Sequence, residues 1–265
     1  MPTTYTHDLF GKKVYRQMPQ EVKQVIRENG DLFRIGLHGP DILFYFMVCK
    51  NPVSCFGVQM HKEKAHTFFE EGMKQVRETK SRPLLAYLLG FGCHYLLDSA
   101  CHPYVDEMND SHVISHTLLE KEFDRYLMEE TGKNPYQYRP SDCITAKKEY
   151  AEVIHQALPL IRTGNILISL KMMKFLTNLM VCDDGGKRRK CVHRLAGLGG
   201  RKNQEVLTEY FMTPQPVEGC TGPVLRLKEL FDEEVKKAPQ ELMELYELSG
   251  EDKPLSDRWN LTYNG

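Results

Sequence analysis

The chain has 265 residues, 41% of them hydrophobic, and a formal net charge of −1. These values allow a sizeable core in one large domain, and the balanced charge excludes the global basic field that indicates nucleic-acid binding. Charged residues at 27% argue against disorder as the main state.

Helical periodicity runs through nearly the whole sequence, and the strand alternation bounded by hairpin turns that marks a β protein is missing. The sequence therefore predicts an all-α fold, a single multi-helix domain over residues 1–265. Pro103 is expected to end the central helix, and Ser111 to cap the next one. The predicted helices cover residues 14–29, 61–79, 84–100, 112–130, 142–162, 165–181, 204–211 and 225–248, and residues 42–48 are predicted as a short apolar helix or turn.

Two further segments bear on location and on the surface. Residues 1–6 lack the basic stretch followed by an apolar one that marks a secretory signal, so we expect a cytoplasmic protein. A mature secreted chain recloned with a new Met1 would look the same. The longest apolar stretch, residues 84–97, is too short and too polar to span a bilayer. The charged, glycine-containing residues 183–200 are interpreted as a surface loop, with a lid or a phosphate-steering role as the alternative.

Three pairs of candidate metal ligands stand four residues apart on two neighbouring predicted helices. The pairs are His94 with Asp98, Asp98 with His102, and His116 with Glu120. Residues four apart share a helix face, and imidazole and carboxylate are the ligands of borderline and harder divalent metals, zinc first. An ionised Asp98 on so apolar a helix would be costly without a partner, which a metal ion supplies. The spacing therefore predicts a multi-metal, zinc-type hydrolytic site.

The motifs around these residues resemble those of the zinc-dependent phospholipase C family, whose fold is shared with the single-strand nucleases of the S1/P1 type. The resemblance covers about the first half of the chain by motif, and the second half is compatible as further helices. It rests on Tyr5-Thr6-His7, Gly39-Pro40-Asp41-Ile42, His61, the segment 92–104 around His94, and His116-x-x-x-Glu120.

The resemblance implies an all-helical domain with two to three zinc ions. It assigns the first ion to Asp41, His61, His94 and Asp98, and the second to His102, His116 and Glu120. His7 and the bridging carboxylate Asp98 would hold a third ion, together with the N-terminal residue of the mature chain. His66, five residues after His61, is the alternative to His61.

A cluster of divalent metals suits phosphate ester hydrolysis, because the ions lower the pKa of a bound water and clamp the phosphoryl oxygens. The resemblance implies an enzyme, a zinc-dependent phosphodiesterase of the phospholipase C type, in which a metal-activated water attacks a phospholipid head-group bond. Asp41 would be a ligand, a general base or both.

Three alternatives stay open at this point. They are a nuclease of the S1/P1 type, a small-molecule phosphoesterase on the same fold, and a non-catalytic zinc-binding protein. Nucleic acid is not the favoured substrate, because a nuclease requires aromatic stacking surfaces near the site and the tyrosines of this chain occur at ordinary density. The carboxylate-rich ligand set without cysteine favours an open hydrolytic site over a structural one.

Overall fold

A computed structural model of the chain describes residues 4–47, 50–181, 187–197, 209–213 and 215–265. Within these residues the secondary structure is helical and contains no strand, which confirms the all-α prediction. Between the α-helices lie the 3₁₀ segments Gly39–Tyr45 and Pro140–Cys143, and a third, Asp257–Asn260, follows them. The α-helices are α1 (Thr4–Gln17), α2 (Gln20–Glu28), α3 (Gly30–Gly36), α4 (Pro52–Met60), α5 (Ala65–Thr79), α6 (Arg82–Asp110), α7 (His116–Glu130), α8 (Lys148–Ala157), α9 (Thr163–Leu179), α10 (Lys187–Gly197) and α11 (Thr221–Leu248).

The chain divides into two compact units. Unit 1 consists of Met1–Thr6, Tyr104–Asp142 and Phe175–Glu229, and unit 2 consists of His7–Pro103, Cys143–Lys174 and Leu230–Gly265. Each unit is therefore assembled from segments that are distant in sequence. The single domain over residues 1–265 stays a prediction.

The apolar part of α6 forms the centre of unit 2. Tyr87, Leu88, Phe91 and Tyr95 on this helix are fully buried. By length and composition α6 is the one helix in the described ranges that could cross a membrane, but 94% of its apolar window is buried inside the protein. Burial of this kind is expected of a helix that is apolar all round and lies in a protein core.

Two glycines let α3 and α6 cross in backbone contact. A Cβ atom at Gly90 would lie 2.1 Å from the carbonyl oxygen of Phe33, and one at Gly36 would lie 2.2 Å from the carbonyl oxygen of Tyr87. No side chain fits in either place. The close approach explains why glycine occupies position 90, although glycine destabilises a helix by about 1 kcal/mol relative to alanine.

Two boundary predictions around the metal-ligand motifs are wrong. Pro103 does not end α6, which continues to Asp110. Packing of the helix beyond the proline, where Val105 is buried, offsets the missing N–H donor. The predicted cap Ser111 is also wrong, because α7 begins at His116 and Ser115 caps it by accepting a hydrogen bond from the Leu118 N–H at 3.3 Å.

Other boundaries differ for reasons that are visible locally. The predicted helix 14–29 is interrupted after Gln17, where Pro19 separates α1 from α2. The predicted helix 142–162 is shorter, because the 3₁₀ segment Pro140–Cys143 precedes α8, and α8 ends at Ala157, before Pro159. The loop interpretation of residues 183–200 is wrong for α10, whose lysine and arginine residues are good helix formers. Residues 182–186 and 198–208, which include most of the predicted helix 204–211, lie outside the described residues.

Candidate metal centre

Five of the predicted ligands come together in unit 2. His7 lies on α1, Asp41 in the 3₁₀ segment Gly39–Tyr45, His61 at the C-cap of α4, and His94 and Asp98 on α6. The ligand atoms of His7, His94 and Asp98 lie within 4.8 Å of one another, and so do those of Asp41, His61 and His94. We call these five residues the unit 2 cluster.

Asp98 lies at the centre of the unit 2 cluster. Its Oδ1 atom is 3.2 Å from Nε2 of His7 and 3.8 Å from Nε2 of His102. Its Oδ2 atom is 3.1 Å from Nε2 of His94 and 4.0 Å from Nε2 of His61. Each carboxylate oxygen therefore faces a different pair of imidazoles, and the helical spacing of four residues explains two of these four approaches.

His61 is oriented towards the cluster by the backbone of α4. Its Nδ1–H donates to the carbonyl oxygen of Gly57 at 2.8 Å, which leaves Nε2 facing Oδ1 of Asp41 at 3.1 Å. His66 lies in the first turn of α5, where its Nε2 atom is 3.2 Å from Oγ1 of Thr67. The structure brings His61 and not His66 to the other ligands, and the geometry favours His61.

Gly39 holds the 3₁₀ segment of Asp41 against α6. Its φ angle is +47°, and a Cβ atom there would lie 2.1 Å from Cδ2 of His94. A left-handed backbone conformation and direct contact with an imidazole ring both require glycine. On the other side of the cluster Phe44 stacks on His61, with ring centroids 5.3 Å apart.

The electrostatics keep both carboxylates of the cluster ionised. Burial raises the pKa of Asp98, but His102, His94 and His7 more than offset this and hold that pKa well below its ordinary value. Burial likewise raises the pKa of Asp41, and the hydrogen bond from His61 and the neighbouring histidines bring it below its ordinary value. Two ionised carboxylates supply negative charge that would balance a bound cation.

The imidazoles of the cluster are protonated to different degrees. Burial lowers the pKa of His94, which favours the neutral ring that can bind a metal. For His61 burial also lowers the pKa, but the hydrogen bond and charge of Asp41 raise it further, and the net shift is upward. A metal ion held by Asp41 and His61 would compete with a proton for the His61 nitrogen.

The residues of the cluster fit a zinc ion. Within the described part of the chain, neither ring nitrogen of the fully buried His94 makes a hydrogen bond, and the same is true of Nδ1 of His7. His94 Nε2 lies 3.1 Å from Asp98 Oδ2, so these two candidate ligand atoms face each other. Buried polar atoms normally have a partner, and nitrogen and carboxylate ligands without cysteine suit zinc.

The second predicted ligand set is divided between the two units, and each part is described in its own unit. In unit 1, His116 Nε2 lies 3.1 Å from Oε1 of the buried Glu120, and Asp106 Oδ1 lies 3.3 Å from His116 Nδ1. In unit 2, Asn264 Oδ1 lies 3.2 Å from His102 Nδ1.

Sequence reasoning misses Asp106, Tyr263 and Asn264, which contact the predicted ligands. Asp106 carries a weak signal, because it lies on α6 only eight residues after Asp98. No sequence signal indicates Tyr263 or Asn264, because their contacts depend on the tertiary fold. The ring centroid of Tyr263 is 5.3 Å from that of His61, and Asn264 contacts His102.

The helical fold and the buried cluster of histidine and aspartate define a candidate metal-dependent hydrolase. Residues 6–163, more than half of the chain, match the zinc-dependent phospholipase C family. The chain belongs to this family, which confirms the resemblance seen in the sequence. No curated protein and no solved structure matches the chain. The family match includes every predicted ligand and ends at the first residue of α9.

Proposed function

We propose that the chain is a zinc-dependent phosphodiesterase that hydrolyses a phospholipid head-group bond. The observation that carries this proposal is the unit 2 cluster, in which a fully buried His94 without hydrogen bonds faces two ionised carboxylates. Membership of the family supports the same chemistry. The cytoplasmic location stays a prediction.

The proposed ligand sets follow the family resemblance. Asp41, His61, His94 and Asp98 would hold the first ion, and His102, His116 and Glu120 would hold the second. His7 and Asp98 would hold a third ion. The bridging role of Asp98 is supported by its geometry, because Oδ1 faces His7 while Oδ2 faces His94. One imidazole nitrogen binds one ion, whereas a carboxylate can bind two.

The side chains of the cluster have distinct roles in this proposal. Zinc, when bound, lowers the pKa of a water and stabilises charge on the phosphoryl oxygens. Asp41 is ionised, so it would accept a hydrogen bond from the attacking water and orient it. Its low pKa makes it a weak base, and we therefore assign it the orientation of the water rather than net uptake of a proton.

A lipid substrate is supported by exposed apolar side chains close in sequence to the ligands. Met47 follows the 3₁₀ segment of Asp41 and is 61% exposed, and Val58 precedes His61 by three residues and is 46% exposed. Of the tyrosines available for base stacking, Tyr138 packs edge-on against Tyr5, with ring centroids 5.2 Å apart, within unit 1. This contact gives the nuclease alternative no support.

The test combines metal analysis with turnover on a substrate panel. The purified chain is analysed for zinc and assayed with p-nitrophenylphosphorylcholine, phosphatidylcholine vesicles, phosphomonoesters, single-stranded DNA and RNA. We expect two to three zinc ions per chain and turnover of the phosphocholine esters. Turnover of nucleic acid or of monoesters alone would replace phospholipid as the substrate, and bound zinc without any turnover would support the non-catalytic alternative.

Variants of the cluster test the ligand assignment in the same assay. Asp98→Asn should lower activity about 100-fold or more, because a bridging ligand helps to supply several kcal/mol of charge stabilisation in the transition state. His61→Ala should lose zinc, and His66→Ala is its matched control. Equal zinc loss in both histidine variants would contradict the choice of His61.

A further inference from the structure

We infer that residues 259–265, which lie beyond the family match, form a positioning element of the proposed metal centre in which Asn264 fixes the tautomer of His102. We call these residues the 259–265 segment. The inference rests on the proposed role of His102 as a zinc ligand. It concerns residues of unit 2 alone.

The 259–265 segment is firmly anchored to the core of unit 2. Trp259 is fully buried and stacks on Tyr95, with ring centroids 5.2 Å apart, and its Nε1–H donates to Glu244 at 3.1 Å. The carbonyl oxygen of Leu261 accepts a hydrogen bond from the N–H of Ala65 at 3.2 Å. These contacts fix the backbone of residues 259–261, so the residues that follow are held in place beside the candidate ligands.

Tyr263 follows this anchor and packs against two imidazoles of the cluster. It is 1% exposed, and its ring centroid lies 5.3 Å from that of His61 and 6.0 Å from that of His94. A large rigid ring in this position restricts rotation of both histidines about their side-chain bonds. Restricted rotation fixes the direction of the nitrogen lone pairs that bind a metal.

Asn264 makes the contact that decides which nitrogen of His102 is protonated. Its Oδ1 atom lies 3.2 Å from Nδ1 of His102. An amide oxygen only accepts hydrogen bonds, so Nδ1 must carry the hydrogen, and Nε2 is left with its lone pair. Nε2 is the atom that points towards Oδ1 of Asp98, at 3.8 Å. This tautomer presets His102 as an Nε2 ligand.

The backbone around Asn264 supports this orientation. Its N–H donates to Oγ1 of Thr262 at 3.2 Å, and the N–H of Gly265 donates to the carbonyl oxygen of Thr262 at 3.2 Å. The resulting turn holds the amide of Asn264 at the imidazole. Asn264 is itself exposed, so a substitution there leaves the buried core unchanged.

The test compares Asn264→Ala, which removes the acceptor, with Asn264→Asp, which keeps an oxygen in its place. Gln24→Ala is the matched control, because Gln24 is an exposed amide of unit 2 outside the segment, and its side-chain Nε2–H donates to Glu28. Zinc affinity is measured by competition with a chelator. Long-range ¹⁵N–¹H spectra of histidine-labelled, zinc-free chain report the tautomer of His102, assigned with a His102→Gln variant.

We expect Asn264→Ala to weaken the binding of one zinc ion about 10- to 100-fold and to shift the His102 ring signals towards a mixture of tautomers. Asn264→Asp and the control should bind as the wild type does. Wild-type affinity and unchanged ring signals in Asn264→Ala would overturn the inference while leaving the proposed function intact. A wild-type chain that binds no zinc would overturn both.

Discussion

Gly39 connects backbone conformation with the arrangement of the candidate ligands. Its φ angle of +47° lies in the left-handed region, and the missing Cβ leaves room for the ring of His94. Gly39→Ala should therefore destabilise the fold by about 1 to 2 kcal/mol through the backbone and by about 1 to 3 kcal/mol more through overpacking. Displacement of His94 should also lower the zinc content. Denaturant unfolding and metal analysis measure the two effects.

Gly164 offers a matched control for this substitution. It lies in the first turn of α9, and a Cβ atom there would meet nothing within 4 Å. Gly164→Ala should leave stability unchanged or raise it by up to about 1 kcal/mol, because alanine reduces the entropy of the unfolded chain. If Gly39→Ala unfolds at the same denaturant concentration as Gly164→Ala and keeps its zinc, the proposed contact with His94 is wrong.

Contacts between candidate site residues were predictable from the sequence where the two residues are close together in the chain. His94 and Asp98 are four residues apart on one helix, so their approach follows from helix geometry alone. His102 and Asn264 are 162 residues apart, and no local pattern indicates that they meet. The orientation of His61 is an intermediate case, because its partner Gly57 is local while Asp41 is not.

Helix boundaries were predictable where a local residue decides them, and less so where packing does. Pro19 separates α1 from α2 because it lacks an N–H donor, and the predicted helix 14–29 overlooked this local signal. Pro103 also lacks an N–H donor, but it lies inside α6. Buried residues on both sides of it stabilise the helix there by packing. α7 begins after its cap, Ser115. The helix does not begin at His112, the predicted start, because the backbone of His112 is left-handed.

α11 carries a pair of carboxyl groups that makes the stability of unit 2 dependent on pH. Glu241 shares the guanidinium of Arg258 with the buried Glu234. Burial and the charge of Glu234 raise the pKa of Glu241 to about 7. Because this folded-state pKa lies above the unfolded value, the native state binds more protons between about pH 4.5 and 7, and stability falls as the pH rises through that window.

Glu241→Gln should remove this pH dependence while keeping a hydrogen-bonding oxygen for Arg258. At pH 8 the variant should unfold at a higher temperature than the wild type, and at pH 4.5 the difference should disappear. Thermal unfolding of both proteins at matched pH and zinc concentration measures it. Glu233→Gln, an exposed position on the same helix, is the control. A constant difference across the pH range would show that the carboxyl pair does not titrate as described.

The unit 2 cluster joins segments that are far apart in sequence. His7 comes from α1, Asp41 from a 3₁₀ segment, His61 from the end of α4, and His94 and Asp98 from α6. An ion held by these residues binds the folded chain and not the unfolded one, so its binding energy adds to the free energy of unfolding. Folding and metal binding are therefore coupled in the proposed enzyme.

Removal of zinc should lower the melting temperature of the whole chain. An ion present at 100 times its dissociation constant stabilises the fold by about 2.7 kcal/mol, which corresponds to a shift of about 5 to 10 °C for a chain of this size. Chelation with EDTA should cause this drop, zinc should restore the lost stability, and magnesium should not, because the cluster is rich in imidazole. Asp98→Asn should melt at nearly the same temperature with and without zinc, since it lacks the central carboxylate. A zinc-dependent shift of equal size in Asp98→Asn would mean that the stabilising ion binds elsewhere.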